Sequence, residues 1–351
     1  MPGIKPHSKR LLDPTSSQRW VAHLDDHVNS LAWSPDGRWL AVASVSGPIT
    51  IFSGSTGQVA HTLTGHGFGT CELGWNANGS VLASVGQDGK VKLWNPQTGE
   101  ERCSLPGGGA WVEHLAWNHQ GNLLATAAGR KLRLWDAVEG KLLREYPDHR
   151  STIADIGWKP ASNVLTSAAY GSLTFWSIDK DEPLERFEWK GSILTMAWSP
   201  DGKHIATGDQ DATVHFWIFQ SGEDLQMWGY PTKVRELSWN STGRYLATGG
   251  SQTATVWDCS GKGPAGSKPI ELEGHANLIT ALAFQHKGSL IATASNEGKV
   301  IFWNVERPRR PLVQADFGSG ISQLSWSPDD QYVAIGTEGG LVTVCTPPRG
   351  K

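Results

Sequence analysis

Glu72, His114 and Asp155 stand three residues before Trp75, Trp117 and Trp158. Two carboxylates and an imidazole are residue types that hold a divalent cation or pass a proton between them. Equal offsets place the three at one level on successive copies of whatever element the tryptophans mark. The same offset elsewhere gives Ser30, Thr195, Glu236, Ala281 and Gln323, a mostly polar series. The bland reading is therefore the wetted wall of a channel. Inner strands of a wide ring stand too far apart for three side chains to reach one ion at about 2 Å, so Glu72, His114 and Asp155 stay an alternative metal or acid–base site and no metal is expected. Other chemistry has little to stand on. There is no Gly-rich phosphate loop, GxSxG, HExxH or vicinal cysteine pair, and no cofactor is expected. Cys71, Cys103, Cys259 and Cys345 are scattered as reduced thiols would be.

The element that positions these side chains is a repeat. Trp33, Trp75, Trp117, Trp158, Trp198, Trp239, Phe284 and Trp326 each end a short apolar stretch, at successive spacings of 42, 42, 41, 40, 41, 45 and 42. A polar turn follows each, such as SPDG at Ser34 to Gly37 and at Ser199 to Gly202, whose Pro, Asp and Gly suit tight turns. A second strand comes next (LAVAS, VLASV, LLATA and so on), then a third (ITIF, VKLW, LRLW). One residue before the aromatic stand Ala32, Gly74, Ala116, Gly157, Ala197, Ser238, Ala283 and Ser325, all small, as crowding near a central axis requires. Four-stranded sheets of this size cannot bury both faces alone and stack radially.

Counting strands predicts all-β architecture: a single eight-bladed β-propeller of four-stranded antiparallel blades. Outer-strand candidates follow seven of the third strands, and none follows VTVC near Lys351. The strand Gln18 to Leu24 precedes the first unit and supplies the missing one, closing the ring in the last blade. The expected organisation is a tail at 1–17, the propeller at 18–346 and a second tail at 347–351.

The segment GHGFGTCELGWNANGSVLASVGQDGKVKLWN, Gly65 to Asn95, resembles the WD-repeat (WD40) β-propeller family. The resemblance implies that His66, Ser84, Asp88 and Trp94 form that family's structural tetrad, a carboxylate orienting an imidazole while hydroxyl and indole complete the network. Other repeats match in part: Thr207, Asp211 and Trp217 lack the His, and His275, Thr293 and Trp303 come with Glu297 for Asp. In this family partners usually meet the face bearing the loop before the inner strand and the turn between second and third strands. On that face the sequence places Phe68, Trp111, Glu113, Tyr170, Gln210, Lys233 and Arg235 as partner-binding candidates. Aromatics and arginine suit the role because they bury large areas with few rotors. Trp189 and Trp228, ending outer strands, read as edge packing. On the opposite face SGKGPAGSKP, Ser260 to Pro269, reads as a flexible connector, and Arg307, Arg309 and Arg310 give a small basic spot.

Net charge is −3, with 31 basic against 34 acidic residues, which gives no field to draw nucleic acid or an anionic membrane. No apolar run is long enough for a span, and the first residues lack a signal-peptide core. The expected protein is cytoplasmic, not an enzyme, monomeric alone or a subunit of a hetero-complex, with a protein or peptide partner, no nucleic acid and no membrane. The expected function is a non-catalytic protein–protein interaction scaffold. The alternative is a channel-centred metal-handling protein or enzyme using the polar inner ring, since eight-bladed propellers include quinone-dependent dehydrogenases.

Overall fold

The computed structural model describes residues 17–261, 263–308 and 310–349. The two expected tails therefore fall largely outside the described residues at the N-terminus and in part at the C-terminus, and Arg309 of the basic spot lies outside them as well. What is described is strands and turns. The first sheet shows the plan: Val28–Trp33, Trp39–Ser44, Ile49–Ser53 and Val59–Leu63 follow one another antiparallel. The second strands are buried along nearly their whole length, because they have neighbours on both faces.

The expected count of eight blades is corrected. Among the described residues the ladder hydrogen bonds define seven sheets, six of four strands and one of six. The long sheet takes in the repeats of Trp158 and Trp198. Its strands Val164–Ser177 and Pro183–Trp198 run unbroken where other repeats break into loops. Tyr170 pairs with Ser192 across that seam. Gly191 also lacks the positive φ that Gly65 (62°) and Gly69 (127°) use to turn the chain ahead of their inner strand. The backbone thus passes from one repeat's outer edge to the next one's inner edge as extended strand.

Closure joins the ends of the chain. Gln18–His23 pairs antiparallel with Leu341–Cys345, matching Trp20 to Val344 and His23 to Leu341. The Trp20 indole donates to the Gly54 carbonyl at 2.9 Å and its ring packs on Phe52, so the closing strand also grips the first sheet. Val28, Trp33, Leu40 and Val42 share one core with Ala334, Val342 and Val344.

Neighbouring sheets are stitched at the inner strands by the repeated tryptophan. Trp75 Nε1 donates to the Ala32 carbonyl at 3.0 Å, Trp117 to Gly74 at 3.0 Å, Trp158 to Ala116 at 3.0 Å, Trp239 to Ala197 at 3.1 Å and Trp326 to Ala283 at 2.9 Å. Trp33 completes the circle on Ser325 at 3.3 Å. Every acceptor is the small residue one before the preceding aromatic. A Cβ on Gly74 would come within 2.6 Å of Leu115 Cδ1 and 3.3 Å of the Trp117 ring, so bulk there would wedge the sheets apart.

Two substitutions separate these contributions. Trp75→Phe loses one part-buried hydrogen bond and the outer part of the ring, an expected cost of about 1–2 kcal/mol. Trp20→Ala removes a buried indole from the closing strand, an expected cost of about 3–5 kcal/mol. Urea unfolding of both variants reads the difference, and equal midpoints would count against the closure strand as a major source of stability.

Candidate functional site

His66 sits on the loop before the inner strand Thr70–Trp75 and is 2% exposed. Its Nδ1 lies 2.8 Å from Asp88 Oδ1 and its Nε2 2.7 Å from Ser84 Oγ, while Trp94 Nε1 donates to that hydroxyl at 2.8 Å. The donors fix the order: the indole gives to serine, serine gives to Nε2, and Nδ1–H gives to the carboxylate. Burial lowers the His66 pKa despite Asp88 beside it, so the ring stays neutral. Asp88 also accepts from Gly67 N–H at 3.3 Å, which ties the turn to the loop carrying Phe68. The repeat of Phe284 reproduces the spacing with Glu for Asp: His275 Nε2 is 2.8 Å from Thr293, Trp303 donates to Thr293 at 2.9 Å, and Glu297 Oε1 lies 3.4 Å from His275 Nδ1.

Two more networks occupy the same offsets and carry no sequence signature. His149, eighteen residues before Ser167, bonds it at 2.8 Å, and Trp176 donates to Ser167 at 2.8 Å. The acid is missing there, because the residue 22 after the histidine is Gly171. His149 Nδ1 turns instead to the Arg130 carbonyl at 3.3 Å. Tyr230, eighteen before Thr248, takes the histidine's place: its hydroxyl meets Thr248 at 2.8 Å and accepts the Trp257 N–H at 2.8 Å. Burial pushes its phenol up to about 12. Only the constant offset of eighteen could have pointed to either.

The loops above these networks are bonded in sequence around one end of the ring. Gly107 N–H donates to the Gly89 carbonyl at 2.7 Å, Ile153 N–H to Gly129 at 2.8 Å and Tyr170 N–H to Ser151 Oγ at 3.0 Å. Tyr170 pairs with Ser192, whose carbonyl accepts Gln210 N–H at 2.9 Å, and Val234 N–H reaches the Asp209 carbonyl at 3.2 Å. The run brings together the loops of Phe68, Trp111, Tyr170, Gln210, Lys233 and Arg235. Phe68 is 85% exposed, Trp111 55% and Tyr170 58%. Gln210, Lys233 and Arg235 are exposed, and Glu113 is half-buried. Phe68 also has φ of 68°, a region costly for a non-glycine residue. Trp228, read as edge packing, is 72% exposed on the same run, whereas Trp189 is partly buried with its ring centroid 4.0 Å from that of His215.

Comparison with known proteins follows the repeats. The WD domain, G-beta repeat, matches residues 57–95, 182–217, 223–258 and 266–304, and the WD40 domain of anaphase-promoting complex subunit 4 matches 15–71 and 104–161. The chain belongs to the WD-repeat family. Among curated proteins, this WD-repeat chain is similar to THO complex subunit 3 of Arabidopsis thaliana, with 30% identity over 94 residues, 26% of this chain and 30% of that protein. It is also similar to small ribosomal subunit protein RACK1z of Oryza sativa subsp. japonica, with 31% identity over 70 residues, 20% of this chain and 21% of that protein. The chain thus spans less than a third of the length of these relatives. The crystal structure of the computationally designed Ika8 protein superposes with a TM-score of 0.81 at 23% identity, covering 94% of this chain and 100% of that one, a likeness of fold.

In this WD-repeat ring the inner polar series bonds strand to strand. Glu72 accepts Leu115 N–H at 2.9 Å, Asp155 accepts Met196 N–H at 2.8 Å and the Thr195 hydroxyl at 3.1 Å, and Gln323 donates to the Asn29 carbonyl at 2.9 Å. His114 Nδ1 lies 3.9 Å from Glu72. Desolvation in the channel wall raises Glu72 to about 8 and raises Asp155 as well. Among the described residues no group of three or more His, Cys, Asp or Glu is placed to hold a metal ion.

The buried histidines set an acid limit. Burial holds His149 and His275 near 4, below the ordinary 6.5, so the stability each confers is full above pH 6.5 and is lost as pH falls towards 4. His149→Gln removes one of these titrations. Its urea-unfolding free energy should fall less between pH 7 and pH 5 than that of the parent, by up to about 2 kcal/mol. An unchanged pH dependence would show that His149 titrates alike in the folded and unfolded chain, against a burial-lowered pKa.

Proposed function

We propose that this WD-repeat protein is a non-catalytic scaffold that holds a protein or peptide segment across the end of the ring bearing Phe68, Trp111 and Tyr170. The observation that carries the reading is the exposure of three aromatic rings on three hydrogen-bonded loops, one of them at a backbone angle that costs energy. A free protein gains nothing from presenting a strained, exposed phenylalanine. Such rings recover their cost when a partner covers them, and they are typical anchors of interfaces. Rigidity supports the same reading, since Asp88 and Gly89 brace the loops on either side and little ordering is left to be lost on binding. Lys233, Arg235 and Glu113 at the rim orient the partner rather than supply affinity. The relatives point the same way as far as their names go, one being a THO complex subunit and one a small ribosomal subunit protein.

The test compares proteins captured from the source cells by the parent and by a Phe68→Ala, Trp111→Ala, Tyr170→Ala variant. All three side chains are exposed, so the variant should melt within a few degrees of the parent. It should lose its principal partner, with at least a tenfold drop in capture. An unchanged partner set would move binding to another surface.

A further inference from the structure

In the repeat of Trp158 the tetrad acid is gone and its surroundings are rebuilt with the opposite charge. From Ser84 to Trp94 is ten residues, and from Ser167 to Trp176 is nine, so the turn is one residue shorter and Gly171, at φ 91°, stands where the carboxylate would. The cross-strand pair below it has changed as well. In the preceding repeat Arg133 pairs with Glu145, joined by an ion pair at 2.5 Å. Here the equivalent pair is Thr174 with Arg186, a short hydroxyl in place of the long cation and a cation in place of the acid.

The result is a cavity of about 170 Å³ walled by Arg150, Arg186, Glu188, Ser172, Thr174 and Tyr170. The guanidinium groups of Arg150 and Arg186 make no hydrogen bond or ion pair among the described residues. His149 lies at the cavity wall, and Asp148, also lining it, is 3.5 Å from Lys131, within the group that Lys131 and Arg133 form with Glu145. That group balances itself, two bases with two acids. What remains is two guanidinium groups against the single carboxylate of Glu188, one positive charge in excess. A guanidinium binds a carboxylate through two parallel N–H bonds, and one carboxylate neutralises the single charge in excess, whereas a dianion would leave the cavity net negative. The space holds a short acidic side chain with several waters.

We propose that this cavity binds the carboxylate of an aspartate or glutamate side chain from the partner, so that the partner supplies from outside the acid this repeat has lost. The site deepens the scaffold reading and rests on it, since Tyr170 belongs both to the aromatic run and to the cavity's lip. Tyr170 fixes the order of contact: the apolar part of the segment lies along Trp111 and Tyr170, and the acidic residue turns down beside them.

The test uses the whole chain, labelled with 15N in the arginine side chains, and follows the Nε–Hε signals assigned by Arg150→Gln and Arg186→Gln. The probes are N-acetyl-glutamate N-methylamide, the matching glutamine compound and inorganic phosphate. The expected result is a saturable shift confined to Arg150 and Arg186 with the glutamate probe, absent with glutamine, and at least fivefold weaker in either single variant. Gly171→Asp, which restores an acid within the chain, should weaken the probe at least fivefold, while Gly171→Asn, equally strained, should not. A Cβ at that position meets nothing nearer than 3.8 Å. No shift, an equal shift with glutamine, equal behaviour of the Asp and Asn variants, or phosphate saturating at tenfold lower concentration would each overturn the assignment. The probe experiment needs no partner. A saturating shift together with unchanged partner capture by the aromatic triple variant would therefore reject the aromatic face as the partner surface and keep the carboxylate site.

Discussion

The ring depends on one repeated contact, the indole N–H of an inner-strand tryptophan donating to the carbonyl of the small residue on the inner strand before it. The acceptor lies 42 or 43 residues back wherever the contact is within the chain's order, as from Trp75 to Ala32 or from Trp158 to Ala116, and from Trp33 to Ser325 it crosses the closure. One contact explains three features of the sequence at once. The aromatic recurs because it must reach, the residue before it is small because the next indole has to pass over it, and the spacing scarcely varies because each donor is also the neighbour of an acceptor. Where the pattern is broken, another group supplies the bond. Phe284 has no N–H on its ring, and its backbone N–H goes to Ser238 Oγ at 3.0 Å; the Trp198 indole goes to Thr166 Oγ1 at 3.2 Å.

These contacts fix the inner strands, and the tetrads fix the loops above them. A full tetrad costs two buried polar side chains and repays them with three mutual hydrogen bonds. Its variants show what the arrangement requires. Tyr230 can replace histidine because its phenol bonds the hydroxyl, as an imidazole does, and itself takes the indole N–H. The acid can be dropped at His149 because the Arg130 carbonyl takes the Nδ1 proton. The hydroxyl and the indole are kept in all four networks; they bond each other directly in three and through the Tyr230 phenol in the fourth, holding the second strand to the third. The acid, by contrast, faces the loop, so its identity and its presence are free to vary with what the loop does.

The strand order, the small inner residues and the tetrad at His66 were legible in the sequence because each is enforced by local spacing. The number of sheets was not. Tyr170–Gly171 and Lys190–Gly191 carry the same turn-like residues as their counterparts, and only the backbone angle at Gly191 and the pairing of Tyr170 with Ser192 decide that the strands run on. That decision is made by the neighbouring repeat, not by the residues themselves. His149 was passed over for a related reason. It sits in DHRS instead of Gly-His, and its acid is absent, so nothing but its distance from Ser167 marks it. The candidates Phe68, Trp111 and Tyr170 were legible as residue types on the right loops, whereas Trp228 was misjudged because exposure at the end of a strand depends on where the chain goes next.

Charge on this ring is handled one repeat at a time. Lys92 pairs with Glu101 at 3.0 Å and Arg133 with Glu145, each cation on a third strand answered from the outer strand beside it. His215, at the same level, is answered by Asp224 at 2.6 Å. Three third strands therefore carry a basic side chain bonded to a carboxylate of the outer strand, and the fourth, with Thr174, leaves the outer-strand Arg186 unanswered. Desolvation makes such an omission cheap only at the surface, where water solvates the guanidinium until something better arrives. The position of Arg186 meets that condition, being exposed and yet at the wall of a cavity beside a buried histidine. An uncompensated charge at the core of the sheet would unfold the repeat, whereas the same charge at this rim leaves the fold intact and the cavity open to an acid from outside.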